Sequence, residues 1–229
     1  MPSPSLPAAV LWDMDGTLVD TEPLWIAAET ELVESFGGRW THDDGLQLVG
    51  SPLPVSAEVL QGRGVELSVD AIIARLAAGV IRGQVAGPPW QPGAYRLLVV
   101  LRDLGVPQAL VTSSYRDLTV PLVTAIDVFT AVVSGDEVAH AKPHPEPYLT
   151  AARQLGVDPA ACVVVEDSRP GIASALASGA HVLAVQTLAG VLDDHPRLSR
   201  TDSLTRVGPA ELARIAAGAV LELSVDRFG

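Results

Sequence analysis

The chain has 229 residues, of which 48% are hydrophobic and 18% charged, and this composition excludes a disordered or collagen-like protein. Twenty-seven acidic residues against 15 basic ones give a net charge of -12, which disfavours a nucleic-acid partner because a phosphate backbone would be repelled. A single cysteine and the lack of any apolar run of about 18 residues favour a cytoplasmic protein with no membrane partner, expected as a monomer or weak dimer.

Short apolar runs and segments of helical periodicity alternate along most of the chain. The apolar runs are rich in β-branched residues, as is typical of parallel strands buried on both faces. The predicted strands are 8–12, 108–111, 131–133, 162–165 and 181–185. The helices that follow them are 94–104, 117–126, 145–155, 171–177 and 209–217. This order predicts an α/β core with a doubly wound parallel sheet.

The stretch 21–91 interrupts this alternation directly after the first strand. It contains no buried strand and ends in the turn-rich segment GPPWQPG. Helices are predicted here over 24–36, 55–61 and 69–85. We therefore predict a small α-helical cap domain over 21–91, inserted into a core domain formed by 1–20 and 92–229.

Polar side chains follow three of the predicted strands. They are Asp13, Asp15 and Thr17, then Thr112, Ser113 and Ser114, then Glu166, Asp167 and Ser168. Because ligands of open α/β sheets bind beyond the carboxyl ends of the strands, we expect these groups to converge. The carboxylates provide the hard oxygen ligands that Mg²⁺ prefers, and a bound cation would relieve their mutual repulsion. The sequence therefore predicts a magnesium site at this edge.

Lys142 is the only lysine among the 15 basic residues. Its compact ammonium suits a contact with a phosphoryl oxygen where the planar guanidinium of arginine would not fit. Thr112 and the amides after it open a predicted helix, and a helix N-terminus binds anions. We predict that Thr112, Ser113 and Lys142 bind a phosphate group.

A carboxylate can act as a nucleophile toward a phosphate bound in this way. One aspartate can form an aspartyl phosphate while a second one moves protons on the leaving and attacking oxygens. Asp13 stands at the end of its strand and suits the nucleophile, whereas Asp15 precedes the flexible Gly16 and suits a mobile acid/base. These residues predict metal-assisted phosphoryl transfer from a small phosphorylated metabolite.

The segment 13–23, DMDGTLVDTEP, resembles the first motif of the haloacid dehalogenase superfamily. Thr112 is similar to its second motif, Lys142 within AKPHPE to its third, and the segment EDSRPG that begins at Glu166 to its fourth. All four motifs occur in the order typical of the superfamily. The resemblance covers nearly the whole chain and implies a phosphohydrolase of this superfamily.

The resemblance also implies a role for each acid. Asp13 would be nucleophile and metal ligand, and Asp15 would be acid/base and bind the metal through its carbonyl oxygen. Asp167 would be a further metal ligand, and Glu166 would orient a metal-bound water. The cofactor implied is Mg²⁺.

The helical insertion resembles the cap of the subgroup with β-phosphoglucomutase-like and sugar-phosphate phosphatases. We expect a phosphatase acting on a small phosphomonoester. Few bases in the cap disfavour a second anionic group on the substrate, which favours a sugar or polyol phosphate. Glu22, Trp25 and Gly50 are candidate contacts to the leaving group.

Two alternatives stay open. A mutase similar to β-phosphoglucomutase keeps a base shortly after the glycine of its cap's Val-Gly segment, but here SPLP follows Gly50. Arg75 or Arg82 could take that role from another helix. The alternative of another class is a phospho-acceptor without turnover or a binding protein. The length of the chain and its cap disfavour the phospho-acceptor, and the intact acids disfavour the binding protein.

Overall fold

The structure, a computed structural model, describes residues 5–49, 51–84, 87–185 and 193–224. Its centre is a parallel sheet of six strands. The strands are β1 (Ala9–Trp12), β2 (Gln108–Val111), β3 (Ala131–Val133), β4 (Cys162–Glu166), β5 (His181–Val185) and β6 (Leu198–Thr201). Their order across the sheet is β3-β2-β1-β4-β5-β6, which confirms the doubly wound α/β fold.

The α-helices of the described residues fall into two groups. Between β1 and β2 lie α1 (Glu22–Ser35), α2 (His42–Leu46), α3 (Leu53–Gly62) and α4 (Val69–Gly83), followed by α5 (Ala94–Asp103). The later helices are α6 (Arg116–Ala125), α7 (Glu146–Leu155), α8 (Arg169–Ala177) and α9 (Pro209–Ala216). None of the helices found in these described ranges is long and apolar enough to cross a membrane.

The register of the central strands aligns their carboxyl ends. Trp12 of β1 pairs with Leu110 of β2 on one side and with Val165 of β4 on the other. All four residues of β1 are fully buried, since helices cover both faces of the sheet. The residues that follow β1, β2 and β4 therefore meet at one edge.

The five predicted strands are confirmed to within one residue, but β6 was not predicted. Its sequence, LSRT, has no apolar run, yet all four residues are buried. The tertiary structure supplies partners for this polar strand: Leu221 donates its amide to Ser199 Oγ (3.0 Å), and Arg200 donates its amide to the Leu221 carbonyl (2.8 Å). A strand that is buried with mostly polar side chains has no hydrophobic pattern from which it could be predicted.

The segment after β1 is helical, as predicted. Helix α1 packs on α4 so closely that a Cβ on Gly79 would lie 2.8 Å from the Cβ of Ala28. The short α2 was not predicted, and it is stabilised by a capping box in which Thr41 and Asp44 bond each other's backbone amides. Helix α4 also contacts α6. The predicted end of α4 at 85 lies outside the described residues, and the proposed domain boundaries stay a prediction.

Candidate active site

Three neighbouring strands deliver the predicted polar residues to one edge of the sheet. Asp13 follows β1 directly, Thr112 follows β2, and Glu166 is the last residue of β4. The amide of Asp13 donates to the carbonyl of Val165 at 3.0 Å, which holds the ends of β1 and β4 together. Residues far apart in sequence thus become neighbours.

Lys142 lies at the centre of this cluster. Its ammonium donates to Asp13 Oδ1 and to Glu166 Oε1, both at 2.7 Å, and to the Val111 carbonyl at 3.0 Å. Only 4% of its side chain is exposed. An ammonium has three donors, and here each has an acceptor of its own. The loop between β3 and α7 therefore carries a positive charge into the carboxylate cluster.

Glu166 is fully buried and accepts hydrogen bonds at both carboxylate oxygens. Oε1 accepts from Lys142 and from the Tyr148 hydroxyl (3.0 Å), and Oε2 accepts from the amide (2.8 Å) and hydroxyl (2.9 Å) of Ser168. A Cβ on Gly171 would lie 1.6 Å from Oε1, so only glycine leaves room for this carboxylate. These contacts hold Glu166 against Lys142, and its predicted role in orienting a metal-bound water stays a prediction.

Burial and charge shift the ionisation of this cluster. Burial opposes the charge of Lys142, but attraction to Asp13 and Glu166 outweighs it and raises the pKa of Lys142 well above its usual value. Burial, followed by repulsion from Glu166, raises the pKa of Asp13 well above its usual value, against the attraction of Lys142. The one ammonium therefore does not neutralise all the buried carboxylates.

Asp167 adds a third carboxylate beside this pair. One oxygen from each of Asp13, Glu166 and Asp167 lies within 4.8 Å of the others. Burial, followed by repulsion from Glu166, raises the pKa of Asp167 to about 7. Thr17 donates its hydroxyl to Asp167 Oδ1 at 2.9 Å.

This donor set fits Mg²⁺. Carboxylate oxygens are its preferred protein ligands, and excess negative charge in a buried site favours a cation. Because protein donors bond both oxygens of Glu166, the groups suited to direct ligation are Asp13 and Asp167. Gly16 has a φ of 86°, and a Cβ there would lie 2.1 Å from Asp167 Oδ2. Glycine therefore keeps the backbone close to this carboxylate.

Asp15 lies at the junction between the helical insertion and the sheet. Its Oδ1 accepts a hydrogen bond from the Thr21 hydroxyl, just before α1. Its Oδ2 accepts from the hydroxyls of Ser114 (2.7 Å) and Thr112 (3.5 Å), after β2. The carboxylate of Asp15 is thus bonded from both sides of this junction.

The remaining predicted site residues differ in how far they are buried. Ser113 is exposed, and Glu22 is half-buried at the first position of α1. Trp25 is half-buried and packs against the main hydrophobic cluster. A large part of its ring therefore contributes to the packing of the insertion. Gly50 lies outside the described residues.

Sequence reasoning missed Tyr148 as a site residue, and it placed Ser114 among the strand-end groups without giving it a role. Tyr148 is fully buried, and its ring centroid lies 4.9 Å from Lys142 Nζ. Burial raises the pKa of its hydroxyl well above the usual value, so it remains a proton donor to Glu166. Tyr148 occupies a core position of α7, and nothing in the local pattern distinguishes it from a packing residue. Ser114 adjoins two residues that were singled out, and only its contact with Asp15 sets it apart.

Three comparisons with known proteins bear on this site. The sequence model of the family "Haloacid dehalogenase-like hydrolase" matches residues 10–185, which include Asp13, Lys142 and Asp167. The chain is 33% identical to hexitol phosphatase A of Escherichia coli, over 84% of this chain and 87% of that protein. It is 31% identical to the bifunctional riboflavin kinase/FMN phosphatase of Arabidopsis thaliana, over 80% of this chain. That match covers 49% of the Arabidopsis protein, so the chain spans about half its length.

The fold also matches a solved structure. CbbY from Rhodobacter sphaeroides in complex with phosphate superposes with a TM-score of 0.78 over 89% of this chain and 97% of that one. The two sequences are 23% identical, so this likeness concerns the fold.

Proposed function

The chain belongs to the haloacid dehalogenase-like hydrolases, and on this premise we propose that it is a Mg²⁺-dependent phosphatase acting on a sugar or polyol phosphate. As an enzyme of this family it is a phosphomonoester hydrolase. The observation that carries the proposal is the placement of Lys142, which bonds both Asp13 and Glu166 at 2.7 Å beside Asp167. This arrangement presents a carboxylate nucleophile next to a fixed positive charge.

In the proposed reaction, Asp13 attacks the phosphorus of the ester and forms an aspartyl phosphate. The bond to the leaving oxygen breaks, and that oxygen takes a proton from Asp15. Asp15 then removes a proton from a water that attacks the aspartyl phosphate, which releases inorganic phosphate and restores Asp13. Lys142 stabilises negative charge on the transferring group throughout. When bound by Asp13 and Asp167, Mg²⁺ supplies further electrostatic stabilisation of the phosphoryl oxygens.

The contacts of Asp15 suggest how proton transfer is controlled. Its carboxylate accepts from Thr21, which leads into the helical insertion, and from Ser114 on the sheet side. A movement of the insertion relative to the sheet would change these bonds together. We propose that such a cap movement frees Asp15 to reach the leaving oxygen and shields the aspartyl phosphate from other water.

The leaving group proposed is a polyol or sugar. The names of both relatives refer to phosphates on acyclic polyols, since FMN carries its phosphate on a ribityl chain. The helical insertion of this chain is acidic, with nine acids and four arginines over 21–90. Arg63 and Arg82 in this insertion pair with Asp44 and Glu31, at 2.8 and 3.0 Å. A neutral leaving group suits such a surface better than a second phosphate.

The test is phosphate release from a panel of esters, measured with Mg²⁺ and with EDTA. The panel includes hexitol phosphates, FMN, hexose phosphates, phosphoglycolate, nucleotides and bisphosphosugars. Asp13→Asn removes the nucleophile while keeping the size of the side chain, and we expect it to abolish turnover. Asp127→Asn, at an exposed position, is the matched control and should keep full activity.

The outcomes of this assay distinguish a phosphatase from a mutase and from a phospho-acceptor or binding protein. Metal-dependent release from polyol or sugar phosphates, lost in Asp13→Asn, supports the proposal and ranks the leaving groups. Full activity in Asp13→Asn would overturn the covalent mechanism. Isomerisation of a hexose phosphate without release would identify a mutase instead. The absence of both reactions with every ester would favour a phospho-acceptor or binding role.

A further inference from the structure

A second group of metal-ligating side chains lies on the segment that carries Lys142. It consists of His140, His144 and Glu146, and one ligand atom from each lies within 4.8 Å of the other two. Their side chains are 65%, 50% and 28% exposed. Among the described residues, this group and the Asp13 cluster are the two that meet this geometric condition. Only this group contains nitrogen ligands.

The two imidazole rings face each other in the loop that precedes α7. Their centroids are 4.6 Å apart and their planes are tilted by 32°. His140 Nδ1 lies 2.7 Å from Glu146 Oε2, and His144 Nδ1 lies 4.0 Å from the same oxygen. All three groups therefore converge near one carboxylate oxygen.

The hydrogen bonds of this group involve the Nδ1 atoms of both imidazole rings. The backbone amide of Glu146 donates to His144 Nδ1 at 3.2 Å, so this nitrogen acts as an acceptor. An imidazole nitrogen that binds a metal ion also acts through its lone pair.

Glu146 fixes the backbone that presents the histidines. Its Oε1 accepts the Ala139 amide at 2.8 Å, and its Oε2 accepts the His140 amide at 3.0 Å. The carboxylate thus connects the backbone of residues 139 and 140 to the first residue of α7. Less chain entropy is lost on ligation, because the groups are already close before an ion arrives.

We propose that His140, His144 and Glu146 form a surface site for a divalent transition-metal ion of the Zn²⁺ and Cu²⁺ class. Imidazole nitrogens favour these ions, whereas Mg²⁺ prefers oxygen ligands. Two nitrogens and one oxygen leave room for water to complete the coordination shell, as exposure of the site allows. The site is separate from the Asp13 cluster and does not depend on the proposed phosphatase function.

Equilibrium dialysis of untagged full-length protein with Zn²⁺ tests the site, in the presence of excess Mg²⁺ to occupy the Asp13 cluster. The variants are His140→Gln and His144→Gln, whose side chains are exposed, so we expect them to fold normally. His42→Gln is the matched control because His42 is also exposed but lies on α2. We expect His42→Gln to bind Zn²⁺ like the wild type, and each of the other variants to bind at least about tenfold more weakly.

Electron paramagnetic resonance of bound Cu²⁺ gives a second, independent readout. The wild-type spectrum should show hyperfine coupling to imidazole nitrogen, which each site variant reduces and His42→Gln preserves. Equal Zn²⁺ affinity in all variants, or Cu²⁺ coordinated by oxygen alone, would overturn the proposal. So would binding that Mg²⁺ displaces completely, because the ion would then occupy the Asp13 cluster.

Discussion

Lys142 shows how a single side chain organises this site. Its ammonium bonds two carboxylates and a backbone carbonyl in a space where only 4% of the side chain is exposed. A guanidinium is wider and planar, and it could not direct its donors to three separate acceptors around one point. The sole lysine of an arginine-rich chain thus occupies a position that arginine would not fill.

Tyr148 is the buried residue that positions this lysine, and Tyr148→Phe tests its hydroxyl. The variant keeps the ring beside Lys142 Nζ but removes the donor to Glu166 Oε1. We expect the free energy of unfolding, measured in urea, to fall by about 1 kcal/mol, the usual net value of one hydrogen bond. We also expect KM to rise with little change in kcat, because Lys142, which we propose as a phosphate ligand, would be positioned less firmly.

The control for this variant is Tyr95→Phe, since Tyr95 is half exposed on α5. It should change neither quantity. An unchanged KM in Tyr148→Phe would show that the hydroxyl of Tyr148 has no influence on substrate binding.

At the scale of elements, the turn from β4 into α8 depends on a glycine. Ser168 caps α8 by accepting the Gly171 amide at 3.1 Å, and the same serine bonds Glu166. Any side chain at 171 would meet the carboxylate of Glu166. The first turn of α8 can therefore pack against Glu166 only because residue 171 has no Cβ.

Gly171→Ala is expected to destabilise the protein and impair turnover. The added Cβ must displace Glu166, and overpacking of this kind costs about 1–3 kcal/mol. Gly62→Ala is the matched control, because Gly62 is also helical and a Cβ there meets no atom within 4 Å. We expect it to stabilise the protein by roughly 0.5 kcal/mol through helix propensity. Thermal unfolding and phosphate release measure both effects, and equal stability of the two variants would contradict this account.

The helical insertion contains a buried acid of its own, Glu29 on α1. Trp40 donates its indole N–H to Glu29 Oε2 at 3.1 Å, but burial outweighs this bond and raises the pKa of Glu29 to about 7. In the unfolded chain the pKa is near 4.5. Between these values the folded state binds more protons, so the free energy of unfolding falls as pH rises.

Glu29→Gln tests this pH dependence, because glutamine resembles the protonated acid and can still accept from Trp40. We expect the stability of the wild type relative to this variant to fall by on the order of 2 kcal/mol between about pH 5 and about pH 8. Urea unfolding at the two pH values measures it. The difference between variant and wild type removes the effect of all other titrating groups. A constant difference would show that Glu29 does not titrate in this range.

At the scale of the whole molecule, strand order decides where the site forms. The chain runs from β1 to β2 and β3 on one side, and then crosses to β4, β5 and β6 on the other. Asp13 follows β1 at this switch point, where crevices form in open α/β sheets. The carboxylates that follow β1 and β4 meet there, and because their negative charge is only partly neutralised, the proposed cation would stabilise the fold.

Addition of Mg²⁺ is therefore expected to stabilise the whole protein against unfolding. At a concentration 100 times its Kd, Mg²⁺ should raise the free energy of unfolding by about 2.7 kcal/mol, and EDTA should remove this gain. Asp167→Asn should lose most of the response, whereas the exposed Asp127→Asn should keep it. Denaturation with and without Mg²⁺ measures the difference, and a full response in Asp167→Asn would exclude this residue as a ligand.

Local sequence patterns were enough to predict the strands that contain apolar runs and the acids that follow them. Burial on both faces leaves a hydrophobic run, and a strand that ends in aspartate is visible locally. Three features became visible only in the folded protein: LSRT forms β6, Tyr148 bonds Glu166, and Ser114 bonds Asp15. Each of these depends on a polar group being satisfied by a partner distant in sequence, and a local pattern carries no information about that partner.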